Sequence, residues 1–225
     1  MMLLTGLALL LAIGFRAQAQ DVLDVVNAGF EDDSFSGNIS VPNSITGWSS
    51  PLSSTPYNNV GLATSSYHSF TGDTSGDVAA LGSYIPTSFG GFPATIIQTG
   101  ISSVNPSDIY YTFTVGVAQD SSHPYSSGSF TLTLSDGSSV VAQQTFSTSV
   151  LENNNFQDFS VTGYAPSASS FTIGLSATGH GEILADNVKL TGSAVPEPSD
   201  WGWVPFLGTI SFLVYRRFRM QAVKA

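Results

Sequence analysis

The chain of 225 residues contains no cysteine. Disulfides and thiolate chemistry are thereby excluded, and the fold must be held by its apolar core or by metal. Bases are almost as scarce, with six Lys and Arg against sixteen Asp and Glu. Between residues 20 and 195 there are fourteen acids and one base, Lys189, for a formal charge of −13. A surface of that sign repels phosphate backbones, so nucleic acid is excluded as a partner. It attracts divalent cations instead. The three histidines, His68, His123 and His180, are too scattered for a zinc pair and read as ordinary loop residues. No Gly-x-Ser-x-Gly elbow, glycine-rich phosphate loop or Ser-His-Asp set can be nominated. No segment reaches the roughly 20 unbroken apolar residues of a full membrane span.

Two shorter apolar segments mark the ends. Leu3 to Phe15, closed by Ala17-Gln18-Ala19, reads as a signal peptide over residues 1–19, although no Lys or Arg precedes its apolar core. At the other end, the linker 194–200 contains Pro196, Glu197 and Pro198, a short transmembrane helix is expected over 201–215, and a basic cytoplasmic tail follows over 216–225. Ser199 to Tyr215 would span only about 26 Å as a helix, and Pro205 interrupts it, so it inserts marginally. Arg216, Arg217 and Arg219 behind it put the C-terminus in the cytoplasm and residues 20–193 outside.

Between the ends the pattern has period two. Ile109, Tyr111, Phe113, Val115 and Val117 fall on one face of a strand, Thr112 and Thr114 on the other. Similar runs occur at Val22–Val26, Val78–Leu81, Thr95–Gln98, Phe130–Leu134, Val140–Phe146, Phe159–Val161, Phe171–Leu175 and Ile183–Leu190, about nine strands with no convincing helix. Asp136-Gly137 signals a tight hairpin. Residues 20–193 are therefore expected to form one all-β domain, an antiparallel two-sheet β-sandwich of jelly-roll type.

The closing strand poses a chemical problem. Alternation puts Leu184, Asp186, Val188 and Leu190 on one face, so Asp186 lies in line with the core. A carboxylate there costs several kcal/mol unless it is compensated, and a bound Ca²⁺ would compensate it. Glu182 shares its parity but lies about 13 Å away along the strand, too far for a glycosidase pair. The alternative is that a bulge turns Asp186 outward. Asp73 and Asp77 are a candidate for a second cation site.

Several segments carry resemblances. Val26-Asn-Ala-Gly-Phe-Glu31, Ile45-Thr-Gly-Trp48, Gly76–Leu81, Ile97-Gln98, Tyr111–Val115 and Ala185–Thr191 resemble, in this order, the galactose-binding-like jelly roll of carbohydrate-binding modules. They are also similar to the Stig cyclases, calcium-dependent indole-terpenoid cyclases on that scaffold, although no cyclase active site matches residue by residue. The resemblance implies one structural calcium held by Glu31 and Asp186. Val195-Pro-Glu-Pro-Ser199, the apolar segment and the arginines resemble the PEP-CTERM sorting signal. This implies recognition by an exosortase, initial anchoring in the cytoplasmic membrane, and delivery to the cell surface or extracellular matrix.

Three functions follow as alternatives. In the first, the protein binds exopolysaccharide or another glycan through rings such as Trp48, Tyr84, Phe89 and Phe92, with Tyr67 and Phe70 as further contributors. The bland alternative puts these rings in the core or over the sandwich ends. In the second, an acid in an apolar pocket performs a cyclase-like reaction; in the third, the protein is a purely structural matrix component.

Overall fold

Alternating apolar residues from 21 to 193 bury one face of each strand, and the strands stack as two antiparallel sheets. In the computed structural model, the residues described are 20–33, 39–40, 45–50, 60–64, 76–83, 94–103, 105–121, 124, 127–137 and 139–194. The expected leader at 1–19, the motif residues Pro196, Glu197 and Pro198, the helix 201–215, and Arg216, Arg217 and Arg219 lie outside them. Among the described residues no helix is long and apolar enough to cross a membrane.

Ten strands are described: β1 (Asp21–Leu23), β2 (Ile39–Ser40), β3 (Val60–Thr64), β4 (Asp77–Ser83), β5 (Ala94–Ser102), β6 (Tyr110–Gln119), β7 (Ser127–Asp136), β8 (Ser139–Ser147), β9 (Gln157–Tyr164) and β10 (Ser170–Ser193). A short 3-10 turn, Thr148–Val150, follows β8. The expected all-β sandwich is borne out. Two of the expected strands, Phe171–Leu175 and Ile183–Leu190, are halves of β10, while β2 and β3 escaped the alternation pattern. Gly179 and Gly181, at φ 121° and 131°, carry β10 from one sheet to the other.

The C-terminal half of β10 lies in the first sheet, ordered β2-β3-β4-β10-β6-β9. Its N-terminal half lies in the second, between β5 and β7, with β8 beyond β7. The hairpin expected at Asp136-Gly137 joins β7 to β8, with Asp136 paired to Ser139 and Gly137 at φ 57°. The inner faces contribute Phe113, Val115 and Val117 from β6, Leu132 and Leu134 from β7, and Phe171, Ile173 and Leu175 from β10.

One edge of β10 changes partner. It pairs with β4 as far as Ala185↔Ala79 and with β1 from Leu190↔Leu23. Between them the segment after β1 closes the edge, with Val188 N–H donating to the Ala28 carbonyl at 2.9 Å. The functional candidates cluster around this interruption.

Candidate functional site

The segment after β1 is held by side chains rather than by a ladder. Gln98, 3% exposed, accepts from Val26 N–H at 2.9 Å and donates to the Val26 carbonyl at 2.8 Å, as a neighbouring strand would. Asn27 and Phe30 then take left-handed conformations, φ 49° and 59°, which cost a bulky residue roughly 1–3 kcal/mol. The Phe30 ring is fully buried and meets Trp48 at 5.3 Å between centroids. Trp48 Nε1 and Phe30 N–H both donate to the Asn27 carbonyl, at 3.2 and 3.1 Å. Asp33 accepts from the Thr46 hydroxyl and backbone N–H at 2.7 and 2.8 Å.

This turn brings Glu31 to Asp186. A Cβ placed on Gly29 would stand 3.7 Å from both Asp186 Oδ1 and Glu31 Cγ, so the Glu31 side chain and the Asp186 carboxylate flank the same glycine. Glu31 Oε1 accepts from the Gly76 and Asp77 N–H groups at 2.8 and 2.6 Å, tying the turn to the start of β4. Burial, and next the Glu31 carboxylate, raise the Asp77 carboxyl above its ordinary pKa. Asp77 therefore joins Glu31; its expected companion Asp73 lies outside the described residues.

Asp186 is 0% exposed. The register of β10 against β6 does shift between Asp186 and Lys189, and Asn187 sits there at φ 52°, yet the carboxylate stays inside. The expected alternation is corrected by this irregularity. Ile183, Ala185, Val188 and Leu190 face the main core, while Leu184 belongs to a small second cluster with Ala63, Val78, Ala80 and Ala118. Asp186 is thus in line with Leu184 and out of line with Val188. Among the described residues no group of three or more His, Asp or Glu side chains is placed to hold a metal ion. The corner offers the Asp186 and Glu31 carboxylates and the Ala28 carbonyl, which accepts from Val188 N–H.

Of the candidate ring contacts, Trp48 is 5% exposed and its indole N–H is used internally, so it packs as a core residue with no open ring face. Tyr84, Phe89 and Phe92, with Tyr67 and Phe70, lie outside the described residues. The sequence reading missed a groove of about 200 Å³ on the outer face of the second sheet, lined by Thr95, Ile97, Thr133, Ser135, Thr172 and Ser176. Gly174 keeps its floor low. Strand alternation alone signals this hydroxyl face, once the buried parity is known.

A second cavity, about 340 Å³, lies between the β5–β6 and β9–β10 connections, lined in part by Ser103, Pro106, Asp108, Tyr111, Ser167 and Ser169. Burial, and next the Asp21 charge, raise the Asp108 carboxyl above its ordinary pKa.

A family model described as HpiC1-like, HpiC1 cyclase, matches residues 21–191. No curated protein matches the chain. Among solved structures, the chain is similar to TmCBM61 in complex with beta-1,4-galactotriose, with 13% identity, a TM-score of 0.50, and coverage of 75% of this chain and 97% of that one. It is also similar to the CBM22-1 xylan-binding domain of Paenibacillus barcinonensis Xyn10C, with 12% identity, a TM-score of 0.46, and coverage of 80% and 99%. The first of these likenesses shows a fold of the carbohydrate-binding-module type.

Proposed function

The chain belongs to the HpiC1-like family, and on that footing we propose that it acts outside the cytoplasmic membrane as a calcium-stabilised, glycan-binding module. The buried Asp186 carboxylate beside Glu31 carries the proposal. Calcium takes six to eight oxygen ligands and accepts carboxylates, backbone carbonyls and water together, so two carboxylates in a backbone-lined corner suit it. Asp186 and Glu31 would hold the ion, which would fasten the segment after β1 to β10.

The groove on the second sheet is the ligand face in this reading. Its Thr and Ser hydroxyls match the hydrogen-bonding surface of a sugar chain, and Ile97 offers one apolar contact. A domain of charge −13 favours neutral polymers over acidic ones. The Pro196-Glu197-Pro198 motif and the arginines behind it support exosortase sorting to the cell surface or matrix, after a signal peptide. A glycan array probed with the full chain, in calcium and in chelator, tests binding. Retention of a neutral glycan that chelator abolishes is expected; no retention by calcium-loaded, folded protein would sink it. Fractionation of cells for the tagged chain tests export.

The family match favours a second reading, acid-catalysed cyclisation. A carbocation reaction wants a proton donor among aromatic rings. The Asp108 cavity has the carboxyl, but among the described residues Tyr111 is its one lining ring. Turnover of a polyprenylated indole by the full chain would establish this second reading over the first.

A further inference from the structure

The Asp108 cavity contains a carboxylate that the Glu31–Asp186 corner does not use. Asp108 is 3% exposed, and its Oδ2 is buried with no hydrogen-bond partner. It fills the place of a missing side chain, because a Cβ on Gly192 would stand 2.2 Å from that oxygen. Gly192 lies directly across from Asp21 of β1. Facing side chains of an antiparallel pair have Cβ atoms about 4.5–5.5 Å apart on one side of the sheet. Asp21 has the parity of buried Leu23, so both carboxylates meet on the inner face, at the end of the first sheet.

Neither group is free to leave. The Asp108 N–H donates to the Asn105 carbonyl at 3.1 Å, and its own carbonyl accepts from the Tyr111 hydroxyl at 3.2 Å. Asn105 Nδ2 in turn donates to Asp21 Oδ2 at 2.8 Å. Two fixed carboxylates side by side, one desolvated, repel each other, as the upward shift of Asp108 registers. A proton on Asp108 would relieve the charge but leave the sealed oxygen without a partner. A cation relieves both.

We propose that Asp21 and Asp108 form a second cation site at the end of the sandwich, taking a hard divalent ion such as calcium through their carboxylate oxygens. The site lies six residues along β10 from Asp186, about 20 Å, and stands independently of the first corner.

The test uses the full chain stripped of metal, titrated with calcium by calorimetry and with terbium. Tyr111, bonded to the Asp108 carbonyl, is the antenna for tyrosine-sensitised terbium emission. Asp108→Asn and Asp21→Asn should each remove one calcium equivalent, or weaken it about tenfold or more, and dim that emission. Asp136→Asn, in the β7–β8 hairpin, should change neither. Asp21 is only half-buried, so its variant decides the matter if Asp108→Asn fails to fold. Unchanged stoichiometry and emission in folded Asp21→Asn, or an equal loss in Asp136→Asn, overturns the site. So does an Asp108→Asn protein that loses cyclase turnover while binding calcium as before.

Discussion

Replacing Gln98 tests whether side chains really do the work of a strand beside β10. The amide makes two hydrogen bonds to the backbone of Val26, 72 residues away, and it is 3% exposed. Gln98→Ala removes both partners and leaves an N–H and a carbonyl unsatisfied at the rim of the core. At about 1–3 kcal/mol for each stranded group, discounted because water reaches part of the site, the loss should be about 2–4 kcal/mol. That is a large share of the roughly 5–15 kcal/mol of a typical domain. Gln98→Glu separates hydrogen bonding from packing, since it keeps the shape and one acceptor but turns a carboxylate oxygen toward the Val26 carbonyl. The introduced carboxyl prefers its protonated form in the fold, where it can donate again, so its folded pKa is raised. Its penalty is then greatest at neutral pH and shrinks as pH falls through that raised pKa. Urea unfolding followed by circular dichroism, at neutral and mildly acidic pH, gives both numbers. A loss below about 1 kcal/mol for Gln98→Ala, or a Gln98→Glu penalty that does not change with pH, refutes the clamp.

Three further outcomes are expected. Calcium at a hundred times its dissociation constant should stabilise the folded chain by about 2.7 kcal/mol, a rise of about 5–10 °C in melting temperature that chelator reverses and Glu31→Gln reduces. Gly82→Ala puts a Cβ 2.2 Å from the Gly181 carbonyl oxygen and 2.6 Å from Glu182 Cα, both backbone of β10, and should cost about 3 kcal/mol in denaturant titration. In chelator, Asp77→Asn should stabilise the protein at neutral pH, because burial and then Glu31 raise Asp77. With that sign the wild type regains the difference as pH falls through the raised pKa, so the two melting curves should converge in acid.

The two-sheet sandwich was legible because its strands alternate cleanly; Tyr111, Phe113, Val115 and Val117 are buried on one parity, as expected. What alternation cannot show is a change of phase. Ala185-Asp-Asn-Val-Lys reads as continuous, yet Asn187 at φ 52° resets it, since asparagine tolerates the left-handed region better than most residues. The same limit hid the union of two predicted strands into β10, whose bend falls on Gly179 and Gly181. Asp186 stood out because a carboxylate in an apolar line is a local anomaly. Gln98 did not, because its partner is 72 residues distant and a glutamine in a strand is unremarkable by itself. Trp48 read equally as a ring contact or as a core residue, because its burial depends on Phe30, which packs against it from a turn that alternation does not describe.

The acids that matter lie where β10 lacks an ordinary neighbour. On the edge shared by β4 and β1 it has no ladder partner among the described residues between Ala185 and Leu190, and Asp186, Glu31 and Asp77 gather there. At the end of the same edge, where Gly192 has no side chain, Asp108 and Asp21 meet. In a chain without cysteine, a crosslink at the first place would close a loop from Glu31 to Asp186, most of the domain, and one at the second a loop from Asp21 to Asp108, about half of it, so the first would restrict the unfolded ensemble more. Backbone hydrogen bonds from one three-residue strand are a weak fastening for such a closure, and buried carboxylates alone oppose it. Cations bound at the two proposed sites would convert that opposition into attachment, and the acidity of this domain would then serve its closure.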